Sequence, residues 1–309
     1  MKYDSDNKKY SLIYKTKMGK FFLGNSENLL DSEVFKKYNG KIQLIFTSPP
    51  FPLNRKKNYG NFQAENYIKW FTNFAKIFSK LLTTDGSIVI EIGNSWETKR
   101  PVMSLLNLRS LLSFLDNGDF NLCQQFICHN PARLPSPIQW VNIERIRVKD
   151  SFTYVWWMSP SNFPKANNRQ ILKPYSQSMQ KLLSSKKYNS GKRPSEHNIG
   201  KTSFLKDNNG AIPSNVITLT NTRANDLYQN YCRLNDLPIH PARMQPELPE
   251  FFIKFLTEPN DIVLDPFAGS NTTGAIAEQL GRKWISIEAQ EKYIVGSKGR
   301  FPNTKFLLE

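Results

Sequence analysis

Cysteine is nearly absent: three in 309 residues, too few for a disulfide framework, and none lies in a CxxC or Cys/His spacing that would hold zinc. Cys123 and Cys128, five apart on a strand-like stretch, are expected to be buried thiols, and no metal site is expected. The chain also lacks any apolar run approaching the roughly 18 residues needed to cross a bilayer. The N-terminal MKYDSDNKKYS has no apolar leader, so neither secretion nor membrane spanning is expected, and a reduced cytoplasm suits the composition. Acidic residues are the third scarcity. The 26 Asp and Glu are outnumbered by 42 Lys and Arg, a formal charge of +16. Such an excess suits a polyanionic partner, because neutralised phosphates release their condensed counterions. Charge alone is equally compatible with a soluble basic protein that has no such partner.

What is present is an alternation of strand and helix signals. Residues 41–46 (KIQLIF) read as a short buried strand that ends at the proline-rich TSPPFP. A polar loop with the basic run Arg55-Lys56-Lys57 follows. Then Tyr67, Trp70, Phe71, Phe74, Phe78, Leu81 and Leu82 recur at the spacing of one helix face, an aromatic stripe better suited to core packing than to base stacking. Asp85-Gly86 breaks this helix before a second strand over residues 87–92 (SIVIEI). Pro101 is placed to open the next helix, with Met103, Leu106 and Leu111 on its apolar face, and residues 120–129, 140–148 and 152–158 read as strands. Strands interleaved with helices predict a largely parallel α/β sheet.

Periodicity fades over residues 160–235, where Lys, Asn, Ser and Pro dominate. Twelve Lys/Arg against three Asp/Glu place +9 of the +16 there. The stretch still carries Phe163, Tyr175, Tyr188, Phe204, Tyr228 and the apolar run Val216-Ile217-Thr218-Leu219, which predict a small irregular module rather than a bare linker, and its charge suits nucleic acid. The α/β pattern then returns: a helix over 249–256 (PEFFIKFL), a strand over 262–265 (IVLD), a helix over 272–280 closed by Gly281, and a strand over 284–288. The expected organisation is a core built from residues 1–159 and 236–309 around an insert at 160–235.

Two loops carry chemistry. Between the strand at 262–265 and the next helix stands Pro266-Phe267-Ala268-Gly269-Ser270-Asn271, a strand, tight turn and helix start of the kind that holds a nucleoside cofactor. It contains one glycine, not the GxGxxG that a pyrophosphate requires, so a cofactor without phosphates is favoured over NAD. Glu288 lies 19 residues after Gly269, where an acidic residue can accept bonds from ribose hydroxyls. An ordinary βαβ unit with a surface Glu has the same outline. The other loop is Thr47-Ser48-Pro49-Pro50-Phe51. Its two prolines remove backbone donors and fix φ, leaving a stiff turn rich in acceptors. An exocyclic base amine is a poor nucleophile, because its lone pair is delocalised into the ring. Ser48 Oγ and the Pro49 carbonyl can hold its two hydrogens while the lone pair turns toward an electrophilic methyl, and Phe51 can stack on an extruded base. Alone, an SPP turn is common and often only structural.

Taken together, TSPPF at 47–51, HPAR at 240–243 and LDPFAGSNTTG at 264–274 resemble, in that order, the β-class amino-methyltransferases of DNA, most closely the cytosine-N4 enzymes of type II restriction-modification systems. The resemblance implies a doubly wound, Rossmann-like methyltransferase core with a target-recognition insert, S-adenosylmethionine as cofactor and duplex DNA as substrate. It implies a catalytic loop of Ser48, Pro49, Pro50 and Phe51, and cofactor contacts at Asp265, Phe267, Gly269, Ser270, Thr272 and Glu288. His240 to Arg243 would lie beside the methionine moiety. Arg169, Lys192 and Arg193 of the insert are candidate DNA contacts. Pairing with a restriction endonuclease and association with the nucleoid through DNA are further implications. The chain departs from the family pattern at Gln245, where proline is frequent, at Asn271, where glycine is frequent, and at Asn25, where Gly24-Asn25 stands for Gly-Asp.

Other readings stay open. Adenine N6 is the alternative target, since Ser, Asp and Asn can all accept a hydrogen bond at the first motif position. A non-catalytic basic DNA-binding protein on the same scaffold is a second, and an RNA target a third. Cytosine carbon-5 chemistry needs a thiolate, usually from a Pro-Cys pair, and none of Cys123, Cys128 and Cys232 follows proline.

Overall fold

The computed structural model describes residues 10–51, 64–220, 225–302, 304 and 306. The basic run Arg55-Lys56-Lys57 lies outside them. Two compact units result: Met1–Ala166 with Asn215–Glu309, and Asn167–Ser214.

In chain order the first unit begins with strands β1 (Tyr10–Lys15) and β2 (Gly19–Gly24), helices α1 (Ser26–Leu30) and α2 (Glu33–Lys36), and strand β3 (Ile42–Thr47). Helix α3 (Ala64–Leu81), strand β4 (Leu82–Gly93), helix α4 (Leu106–Gly118) and strands β5 (Asn121–His129) and β6 (Phe152–Ser159) follow. The second unit supplies α5 (Gln177–Ser185), β7 (Gly191–Lys192) and β8 (Asn198–Ile199). The first unit resumes with β9 (Val216–Thr218), α6 (Leu227–Leu234), α7 (Glu247–Leu256), β10 (Ile262–Asp265), α8 (Thr272–Gln279), β11 (Lys283–Glu288) and α9 (Glu291–Ser297).

Nine strands form one sheet in the order β1-β2-β11-β10-β3-β4-β6-β5-β9. Its centre, from β2 through β11, β10 and β3 to β4, is parallel, and β6 runs antiparallel between β4 and β5. All six residues of β3 are buried, as expected of a central strand covered on both faces, which is why it reads as a continuous apolar run. One face is covered by α3 and α4: Tyr67, Phe71, Phe74, Phe78 and Phe114 are buried, with Phe71 and Phe114 ring centroids 4.8 Å apart. The other is covered by α7 and α8, where Phe252 meets Phe126 at 5.0 Å and Phe46 at 5.8 Å. From β10 the chain crosses by α8 to β11, and from β3 it crosses by α3 to β4 on the opposite side. The carboxyl ends of β10 and β3 therefore flank the switch point of a doubly wound sheet, where such folds bind ligands.

Several expectations are corrected. Residues 140–148 form no strand. A π-helical turn, Gln139–Ile143, occupies part of the β5–β6 connection, and none of residues 131–150 is buried. Their apolar side chains, Ile138 and Val148 among them, find no neighbouring strand. Pro101 does not open α4, which starts at Leu106, because Met103 is held in a bridge to Trp96. Leu82 begins β4 rather than ending α3. Cys123 and Cys128 are half-buried, and of the three thiols only Cys232 is buried.

The limits of the insert shift as well. Val216–Thr218 joins the main sheet beside β5, and α6 packs through buried Tyr228 and Cys232, so residues 160–166 and 215–235 belong to the first unit. The second unit, Asn167–Ser214, carries nine Lys/Arg against two Asp/Glu, a net +7. Gly210 is its one buried residue. Its order comes from local devices instead: Ser176 caps α5, β7 and β8 form a short hairpin, and Tyr188 meets Phe204 edge-on at 5.3 Å. Among the described residues no helix is long and apolar enough to cross a membrane.

Candidate active site

A cavity of about 670 Å³ opens at the carboxyl ends of β3 and β10. Its lining includes Ser48, Pro49, Pro50 and Phe51 together with Asp265, Phe267, Gly269, Ser270, Thr272, Glu288, His240 and Arg243. The expected catalytic loop and the expected cofactor turn therefore face one space. Arg169, Lys192 and Arg193 are not in this lining. They belong to the second unit, where Arg169 is exposed and Arg193 bonds back to the Asn189 carbonyl at 2.9 Å.

The two loops are bonded to each other. Thr47 Oγ1, at the last position of β3, donates to Asp265 Oδ1 at 2.7 Å, across 218 residues of chain. The same carboxylate accepts from Phe267 N at 3.1 Å and Thr273 Oγ1 at 2.6 Å. Burial pushes the Asp265 carboxyl up to about 6, against the lowering effect of these donors. Asp265 thus acts as a clasp between adjacent strand ends, and both its oxygens are engaged from within the fold.

The turn after β10 is shaped by backbone that few side chains permit. Gly269 has φ +50°, and a Cβ added there would lie 3.0 Å from His240 Nε2. Its N–H donates to Glu288 Oε2 at 2.9 Å, and Gln290 N donates to Glu288 Oε1 at 2.8 Å. With Ala289 N as a third backbone donor, lone pairs still remain on the Glu288 oxygens, and desolvation raises its carboxyl. Asn271, the departure from the family glycine, sits in the left-handed region at φ 57°, ψ 41°, which Asn tolerates better than most residues. Its buried amide donates to Tyr14 OH at 3.1 Å and accepts from Ser286 Oγ at 2.6 Å. Ser270 is held from behind by Arg300, whose guanidinium donates to its carbonyl at 2.6 Å and its hydroxyl at 2.9 Å. A Cβ-free cradle beside a carboxylate with open acceptor positions fits the ribose of a nucleoside cofactor. The rest of the turn offers no further bare glycine for a pyrophosphate.

His240 closes this wall. Its Nδ1 accepts from Ala242 N at 3.2 Å, which assigns the ring proton to Nε2, on the Gly269 side. Burial lowers its pKa to about 4, helped by the cations Arg300, Arg243 and Lys292, so the ring is neutral at physiological pH. Tyr228 OH takes the His240 N–H at 2.8 Å, and the Tyr293 ring meets the imidazole edge-on at 4.4 Å. Arg243 lines the cavity, but its charge is paired with Asp226 at 3.0 Å. Phe267 packs against Trp70 and Phe74, with centroids 5.5 and 5.3 Å away.

The opposite wall contains residues that sequence reasoning missed. Glu91, on β4, accepts from Thr153 Oγ1 at 2.9 Å and from the Ser48 hydroxyl, and burial raises its carboxyl. A lone carboxylate inside the apolar SIVIEI strand was the available signal, since such a charge needs a reason to be there. Cys128, Asn130, Arg133, Phe152 and Thr153 complete this side. The Cys128 thiol is pushed up to about 12 by burial and by Glu91, so it is no thiolate nucleophile. Phe51 leans over β4, where a Cβ at Gly93 would come within 2.6 Å of its ring.

A family model described as DNA methylase matches residues 42–298. Among curated proteins, the type II methyltransferase M.PvuII of Proteus hauseri is 45% identical over 290 residues, covering 93% of this chain and 85% of that protein. The type II methyltransferase M.BglII of Bacillus subtilis is 26% identical over 311 residues, 96% of this chain and 75% of that protein. Among solved structures, PvuII DNA methyltransferase (cytosine-N4-specific) superposes with a TM-score of 0.75 at 38% identity, over 94% of this chain and 88% of that one. M1.HpyAVI in its complex with SAM shares the fold, with a TM-score of 0.54 at 22% identity over 92% of this chain and all of that one.

Proposed function

The chain belongs to the DNA methylase family, and from that premise we propose that it transfers a methyl group from S-adenosylmethionine to the exocyclic N4 amine of cytosine in duplex DNA. The observation that carries this is the Thr47–Asp265 hydrogen bond. It fixes an amine-gripping turn and a nucleoside cradle at the rims of one cavity.

The cofactor supplies an electrophilic methyl on a sulfonium; the chain supplies position and proton handling. Glu288 and the bare backbone at Gly269 are the residues suited to the ribose, and Asp265 keeps the turn that carries Gly269 in register with the catalytic loop. A flipped cytosine enters between Phe51 and the β4–β6 wall. Ser48 donates its hydroxyl hydrogen bond to Glu91, so its oxygen is turned to accept a hydrogen bond from the amine, and the Pro49 carbonyl can take the other hydrogen. The lone pair is thereby freed from the ring for in-line attack. As the new N–C bond formed, the methyl's bond to sulfur would break with its electron pair left on sulfur, and the nitrogen would shed one proton to Ser48 while Ser48 passed its own to Glu91, a carboxyl whose raised pKa suits it as acceptor. No thiolate is required.

The small unit Asn167–Ser214, net +7 and nearly coreless, serves as the target-recognition element, with Arg169, Lys192 and Arg193 on phosphates or base edges. Its likeness to type II methyltransferases supports a further proposal, that the methylation protects DNA from a partner endonuclease. Digesting modified duplex to nucleosides for mass spectrometry tests the base assignment. N4-methylcytosine is the expected product, N6-methyladenine without it would replace cytosine by adenine, and no transfer together with no cofactor binding would leave only a DNA-binding role.

A further inference from the structure

We propose that Arg133 is the residue that tells cytosine from adenine, by donating to the O2 carbonyl of the extruded base; the inference rests on the function proposed above. The two bases present the same pattern along the first part of the edge that reaches the catalytic loop. Each has an exocyclic amine followed by a ring nitrogen that accepts. They diverge at the next position, where cytosine has a carbonyl oxygen and adenine only a C–H. A pocket that selects cytosine therefore needs a fixed donor one step beyond the amine site, and leaving that donor unpaired penalises adenine.

Arg133 is built for that place. It lines the cavity on the same wall as Glu91 and Thr153, and its charge is near enough to lower the proton affinity of Glu91, the partner of Ser48. No ion pair joins the two. One guanidinium nitrogen, Nη1, is spent on the Phe152 carbonyl at 3.1 Å, and among the described residues no other bond of this guanidinium occurs. A planar fork of five donors thus has most of its capacity in hand.

The turn that aims it is braced. Arg133 N donates to the Asn130 carbonyl at 3.2 Å, and Asn130 N donates to the Ser151 carbonyl at 2.7 Å. Asn130 Oδ1 takes Ala132 N at 3.1 Å, and Lys149 Nζ holds the Pro131 and Arg133 carbonyls at 3.0 and 3.1 Å. These contacts fix the main chain of a residue that lines the pocket, and the bond to the Phe152 carbonyl steadies its guanidinium, the preorganisation that a discriminating donor needs.

The test varies one atom of the base and the head group of the residue-133 side chain. The substrate is a duplex carrying the site mapped for the wild-type enzyme, with the target base either cytosine or 2-thiocytosine, whose sulfur accepts hydrogen bonds weakly. Wild type is expected to lose about 10- to 100-fold in kcat/KM on the sulfur swap. Arg133→Met is expected to be slower than wild type on cytosine by a similar factor and indifferent to sulfur, with cofactor affinity and melting temperature unchanged. Arg133→Lys, which keeps a donor on a similar stem, should retain part of the sulfur sensitivity. An Arg133→Met enzyme that loses the same further factor on 2-thiocytosine overturns the proposal. So does one whose loss is confined to DNA affinity and disappears at low salt, which would make Arg133 a phosphate clamp. A wild-type enzyme that modifies no cytosine removes this proposal together with the function beneath it. Wild-type activity on cytosine with sulfur-sensitive Arg133→Met removes this proposal alone.

Discussion

The two walls of the cavity are finished to different degrees. On the wall of β10 and β11, Asp265 holds three donors, Asn271 two partners, Ser270 both hydrogen bonds from Arg300, and the Gly269 N–H is tied to Glu288. On the wall of β3, β4 and β6, the chain Ser48–Glu91–Thr153 ends in groups with capacity left over, the Arg133 guanidinium above all. A ligand that is always the same can be met by backbone and carboxylates locked in advance. A base that must be recognised after leaving its duplex needs open donors and acceptors. The contrast teaches which wall carries affinity for the cofactor and which carries choice and rate.

Breaking the locked wall should cost the fold itself. Asp265→Ala strands Thr47, Thr273 and the Phe267 N–H, all bonded to one buried carboxylate, so chemical denaturation should show a loss of about 3 kcal/mol or more. Retained stability with normal turnover would show that the strand ends need no clasp. A smaller effect on the same wall is expected of Gly269→Ala, where φ +50° and the nearby His240 ring cost about 1–2 kcal/mol. Calorimetry should register weaker cofactor binding alongside it.

Acid separates the walls further. The His240 pKa falls from 6.5 to about 4 on folding, so between those values the unfolded chain binds more protons and stability drops as pH falls. The Asp265 carboxyl is raised from 3.8 to about 6, and over the overlapping range it works in the opposite direction. His240→Asn removes only the first contribution. Its melting temperature should therefore decline less than wild type's between pH 7 and pH 5, and an identical decline would contradict the neutral buried ring. The smallest expected effect is at Tyr67, whose buried hydroxyl has no partner among the described residues. Tyr67→Phe should leave the cofactor-free protein as stable or more stable by less than about 1 kcal/mol.

Legibility in the sequence followed burial. The strand at 262–265 stands as the apolar run IVLD indicated, and β3 and β11 lie within a residue of their expected limits, because strands covered on both faces leave an unbroken apolar signature. The motif loops were legible because stiff prolines and a positive-φ glycine leave few residue choices. The β1–β2 hairpin was not, since its six-residue strands are bounded by Lys and Gly and β2 draws its second partner, β11, from the far end of the chain. Residues 140–148 misled for the opposite reason: alternating Ile and Val suggest a strand, yet no neighbour buries them. The insert was drawn too wide because Val216–Thr218 and α6 are short and polar-flanked, and only their contacts with β5, α9 and the residues just after it assign them to the core. Glu91 and Arg133 stand in no motif; their meaning comes from Ser48 and Thr153 across the sheet.

The division of labour between the walls is tested most directly by measuring cofactor affinity and single-turnover methyl transfer at saturating cofactor in Ser48→Ala and Glu288→Gln side by side. A crossed pattern is expected: Ser48→Ala keeps wild-type affinity and loses about 100-fold or more in rate, while Glu288→Gln binds cofactor weakly but transfers at close to the wild-type rate once saturated. Two variants that each lose affinity and rate together would contradict it.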